Sequence, residues 1–152
     1  MPKSLKGSPA ESEINNRLLA LQADRQTLVQ SQQADNEQKA SAALAQARKL
    51  RDDQKLSDAY LQLKDIVTDY PNTVSAATAA DMVKSFEQDP DMMKQVHEQI
   101  ADNKANGILA LARSYVSAGL NTNAREKFQS VMDQFPDSAQ ADAAKKEMDA
   151  LN

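Results

Sequence analysis

The chain writes one phrase twice. Residues 66–73 read Ile-Val-Thr-Asp-Tyr-Pro-Asn-Thr, and residues 131–138 read Val-Met-Asp-Gln-Phe-Pro-Asp-Ser. The prolines, Pro71 and Pro136, lie 65 residues apart. The same offset aligns Ala45, Ala47, Arg48 and Leu50 with Ala110, Ala112, Arg113 and Tyr115. It also aligns Ala59 with Ala124 and Leu63 with Phe128, with no gap between. Two Ala-rich helices would share a few matches by chance, but they would not also keep an aromatic-proline turn in phase. A fixed period of this kind marks one supersecondary unit used twice.

The unit is helical. Ala supplies 25 of 152 residues, Gly only three, and aromatic residues 4%, so helix formers dominate and strand formers are scarce. The expected fold class is all-α. Each unit reads as three helices: residues 43–53, 57–70 and 74–86 in the first, and 108–118, 122–135 and 138–150 in the second. The second helix stops before the proline, because the residue preceding Pro disfavours the helical region. Asn72-Thr73 and Asp137-Ser138 supply caps for the third helix, and Asp137 with Gln140 has the spacing of a capping box. Asp89-Pro90 opens a connecting helix across 87–107, with Met93, Val96 and Ile100 on one face, expected to run past Gly107 into the second unit.

Ahead of the repeats, residues 1–8 form an expected disordered start. Ser8-Pro9 with Glu11 then reads as a helix N-terminus. Ile14, Leu18, Leu21 and Leu28 fall on one stripe at 4-3-7 spacing, interrupted by Arg25. Gln32 and Asp35 end the stripe, and residues 30–41 are polar all round, which fits a solvated helix or a break near Asp35. The expectation is one helix from 9 to 33 and another from 36 to 53. Residues 9–42 thus form an N-terminal helical segment with a short coiled-coil seam.

Charge excludes some partners. The net charge is −4 and is not blocky: residues 1–42 hold five bases and five acids, and residues 43–86 hold six of each. Without a basic stripe, phosphate-driven nucleic-acid binding is not expected. No apolar run approaches the length of a membrane span, so no insertion by this segment is expected. With no cysteine, thiol chemistry, disulfides and Cys-type zinc sites are excluded. Residues 1–11 have no apolar signal core, so the protein is either cytosolic or begins after a removed signal or anchor; the Gln-, Asn- and Ala-rich, Cys-free composition favours the second.

The second unit resembles a tetratricopeptide repeat. The residues that carry the likeness are Ile108, Leu111, Ala112 and Tyr115 in its first helix, Gly119 in the turn, Ala124 and Phe128 in its second helix, and Pro136. The first unit matches at Ala47, Leu50, Ala59, Leu63 and Pro71, but has Ala43 and Gln46 where the family has large apolar residues. The resemblance covers 43–86 and 108–151 and is similar to divergent repeats of bacterial envelope proteins. It implies paired antiparallel helices, a protein- or peptide-binding surface and no chemistry. It also implies that the first helix of each pair lines the binding face. The candidate partner-binding residues are therefore Gln46, Arg48 and Lys49 in one unit and Arg113, Ser114 and Ser117 in the other. An acidic residue or free carboxylate of a partner segment is expected near Arg48 or Arg113.

No catalytic, metal or cofactor site is expected. His97, with Met92 and Met93 nearby, does not close a ligand set. Asp89, Asp91 and Asp102 lack the spacing of a calcium loop. No phosphate-cradling loop and no nucleophile–base pattern occurs. The expected function is a non-catalytic scaffold or adaptor for another protein. The alternative is a structural oligomer joined through the 14–28 seam.

Overall fold

The structure, a computed structural model, describes residues 8–151. Among them are six helices and no strand: α1 (Pro9–Asp52), α2 (Leu56–Asp69), α3 (Val74–Gln88), α4 (Pro90–Ser117), α5 (Asn121–Gln134) and α6 (Ala139–Asp149). The expected disordered start falls on residues outside the described ones, except Ser8. Ser8 is ordered as the α1 cap, its side chain accepting from the Glu11 N–H at 3.2 Å.

Burial follows the 65-residue period. Ala40, Leu44, Ala47, Ala59, Leu63, Ile66 and Ala79 are buried in one cluster, and their counterparts Ala105, Leu109, Ala112, Ala124, Phe128, Val131 and Ala144 are buried in a second. Each cluster combines fully buried alanines with larger buried side chains, Leu63 and Ile66 in the first and Phe128 and Val131 in the second. The turns repeat as well. Gln54 (φ 62°) and Gly119 (φ 74°) hold equivalent left-handed positions after α1 and α4. In each copy two backbone bonds close the helix end: Gln54 N–H to Arg51 O with Lys55 N–H to Leu50 O, and Gly119 N–H to Val116 O with Leu120 N–H to Tyr115 O.

The first cluster is larger for a reason outside the repeat. It adds Leu56, Tyr60, Phe86 and Val96. Val96 comes from the first half of α4, which lies against α2 and α3 before the same helix continues, through Gly107, as the first helix of the second cluster. Gln99 fastens this junction, accepting from the Ser57 N–H at 3.0 Å and donating to Gln54 O at 3.0 Å. Among the described residues nothing equivalent covers the second unit, where the matching positions are Asn121, Arg125 and Leu151. The Arg125 guanidinium instead donates to Leu151 O at 2.9 Å.

Two expectations are corrected. α1 does not break near Asp35 and runs unbroken from Pro9 to Asp52. Residues 30–41 contain no Pro or Gly, so the helix continues through them even where, at 30–36, every residue is exposed. The Asp137–Gln140 capping box does not form. Ser138 is the cap of α6, accepting from the Ala141 N–H at 3.1 Å, and the Gln140 amide donates to Asn106 Oδ1 at 3.2 Å. Thr73, at the position equivalent to Ser138, caps α3 in the same way, accepting from the Ala76 N–H at 3.0 Å.

Candidate protein-interaction site

Two surfaces carry the candidate residues: the free part of α1 and the exposed faces of the two units. Among the described residues, Glu37 makes the most N-terminal hydrogen bonds from α1 to another helix. One Glu37 carboxylate oxygen accepts from the Val74 N–H at 2.7 Å, and the other from the Ser75 N–H at 3.1 Å and the Ser75 hydroxyl at 2.5 Å. An anion at this helix start satisfies N–H groups that lack a partner within the helix. The Ser75 hydroxyl bond, with the Val74 and Ser75 N–H bonds, outweighs desolvation and holds the Glu37 carboxyl below its usual range. Asp102, the counterpart of Glu37 in α4, is one methylene shorter.

Upstream of Glu37, residues 12–36 are exposed without exception. The helix from Pro9 to this point projects about 40 Å at 1.5 Å per residue. Its large apolar residues have no cover from their own chain: Ile14, Leu18, Leu19, Leu21, Leu28 and Val29 are between 44% and 66% exposed. Ile14, Leu18, Leu21 and Leu28 share one stripe, Val29 flanks it, and Leu19 lies off it. The sequence pattern is therefore fully expressed on the solvent-exposed N-terminal part of α1.

The six residues expected to bind a partner lie on two helices, Gln46, Arg48 and Lys49 on α1 and Arg113, Ser114 and Ser117 on α4. All six are exposed. Gln46 lines an open groove of about 490 Å³ between α1 and α2. The groove floor is Ala43, Leu50, Leu61, Ile66 and Tyr70, and its charged residues are Asp58, Asp65 and Asp69. None of the other five lines it. In the second unit the positions matching these aspartates hold the neutral Asn123, Ser130 and Gln134.

Arg113 is already engaged. Its Nε reaches the two Glu147 oxygens at 3.1 and 2.9 Å, and Nη2 is 2.5 Å from Oε1. This two-pronged pair joins α4 to α6 and holds the Glu147 carboxyl below its usual range. The residue matching Glu147 in the first unit is Met82, so Arg48 has no such acid; the neighbouring Asp52 pairs with Arg51 at 3.1 Å. Ser114 and Ser117 turn their hydroxyls to Ala110 O and Arg113 O of their own helix, each at 3.1 Å. Arg48 and Lys49 form no ion pair among the described residues. His97 is exposed and Met93 half-buried. Among the described residues no group of three or more His, Cys, Asp or Glu side chains is placed to hold a metal ion. No described helix is long and apolar enough to cross a membrane.

Sequence reasoning missed the residues that join the units. The signal was the asymmetry of the repeat itself: Leu56 and Tyr60 stand where the second copy has the polar Asn121 and Arg125, and Phe86 is aromatic where it has Leu151. Residues that escape a repeat are the ones that meet something other than the repeat.

The chain matches no family model, no curated protein and no solved structure.

Proposed function

We propose that the protein is a non-catalytic assembly scaffold. In this reading α1 joins copies of the chain, and the two units, built as divergent tetratricopeptide-like helix pairs, serve as heads that bind a protein or peptide partner. The observation that carries it is the exposed Ile14–Leu28 stripe on a helix projecting clear of its own units. Isolated helices gain little stability from local bonds alone, and an apolar stripe at heptad spacing is satisfied by another helix. A scaffold that binds partners as a single copy would leave this stripe in water.

On the heads, Arg48 and Lys49 are cations free to meet a carboxylate, whereas Arg113 has its acid in place. The groove of the first unit, with an apolar floor and three aspartates, suits a segment of opposite charge.

The test is sedimentation equilibrium of the full chain beside a Leu18→Gln/Leu21→Gln variant. Both positions are exposed, so the units keep their fold. The expected result is a concentration-dependent assembly for the native sequence and a monomer for the variant, with unchanged circular dichroism per residue in the units. A native chain that is monomeric at every concentration refutes the assembly role and leaves the simple adaptor.

A further inference from the structure

We infer that the copies joined by α1 lie parallel and in register, so that all heads emerge at the same end of the assembly; this rests on the self-association proposed above. The argument comes from where the apolar residues fall in the heptad. Ile14, Leu21 and Leu28 share one seam position (d), and Leu18 is the apolar residue at the other (a), which next carries Arg25. Parallel, in-register helices stack each seam position against itself. All four apolar residues then meet their own kind, giving four apolar layers. Antiparallel helices stack d against a. Since Leu18 is the apolar a residue, any antiparallel register makes two apolar layers and places the remaining d residues against Arg25 or other polar side chains. A parallel shift by one heptad also sets Leu18 against Arg25.

Arg25 gives the arrangement its register. At an a position of parallel helices, a side chain packs beside the partner's preceding residue, so each Arg25 lies next to an Asp24 of the second copy. Neither side chain forms an ion pair within its own chain among the described residues, and both are exposed. One charged residue at a seam position lowers stability and specifies alignment. The Asp24–Arg25 sequence supplies the opposite charge that offsets it.

The absence of cysteine makes the test direct. Ile14→Cys and Leu28→Cys are prepared separately in the full chain, then equilibrated alone and mixed in a glutathione redox buffer, with mass measured by light scattering in parallel. The expected result is that each variant links to itself, 14 to 14 and 28 to 28, and that the mixture yields no 14–28 link. Asp24→Lys, which sets like charge beside Arg25, weakens assembly about tenfold, as loss of two flanking pairs would. A 14–28 link as the main product, in chains that light scattering shows to be assembled, overturns the parallel arrangement and leaves self-association standing. Monomers by light scattering and no link of either kind overturn both.

Discussion

Phe86→Ala is the sharpest test of how the two units are joined. Phe86 is 2% exposed, its ring centroid lies 5.8 Å from that of Tyr60, and it belongs to the cluster that Val96 of α4 completes. A buried aromatic side chain removes about 150–250 Å² from water, which at about 25 cal/mol per Å² corresponds to about 4–6 kcal/mol as an upper estimate. Ala retains the Cβ, so the expected loss is about 3–5 kcal/mol. Against a total stability of about 5–15 kcal/mol for such a domain, this is a large fraction. The internal control is Leu151→Ala. Leu151 holds the matching position in the second unit, where it packs half-buried at the edge of the second cluster with no counterpart of Val96 among the described residues. Its truncation should cost about 1 kcal/mol. Urea unfolding followed by far-ultraviolet circular dichroism measures both. Equal, small losses for the two variants would refute the reasoning, because they would mean that the first half of α4 does not cover α2 and α3 in solution.

Further outcomes are expected elsewhere. Ala124→Leu, at a fully buried helix crossing, should overpack it by about 1–3 kcal/mol, read as a lower urea midpoint. Gly119→Ala should destabilise by about 1 kcal/mol through its positive φ alone, since an added Cβ meets no atom within 4 Å; Gln54→Gly at the equivalent turn should not destabilise, and thermal melts of the pair check this. The folded Glu37 carboxyl titrates below its unfolded value, so its contribution is present above the ordinary Glu range and is lost as pH falls through the lowered folded value; Glu37→Gln should flatten this part of the stability–pH curve. Arg113→Ala should raise the Glu147 titration midpoint towards the ordinary carboxylate range while the helices persist, which carboxyl-carbon nuclear magnetic resonance reads directly.

Much of the fold was legible because it is local. Ser8, Thr73 and Ser138 cap helices through bonds to the third residue on, and the run from Asp89-Pro90 through Gly107 is one helix. The buried alanines and their larger neighbours follow a 3.6-residue period that any reader of the sequence can count. The same locality explains the error at Asp35. Polarity around that residue reported the loss of a packing partner, and a helix without breakers continues with no partner at all.

What the sequence by itself determined is the repeated unit, its helical character and the seam at Ile14–Leu28, because propensity, capping and periodicity act over neighbours in the chain. Tertiary structure alone decided which helices and which distant side chains met. It paired Arg113 with Glu147, 34 residues away, and left Arg48 without such an acid. It bound Glu37 to the start of α3 and set Gln99 against Ser57 and Gln54. It also left residues 12–36 exposed to solvent, the Ile14–Leu28 stripe among them. Such bonds depend on where distant helices come to rest, and that position follows from the summed packing of both clusters. No single stretch of sequence encodes it.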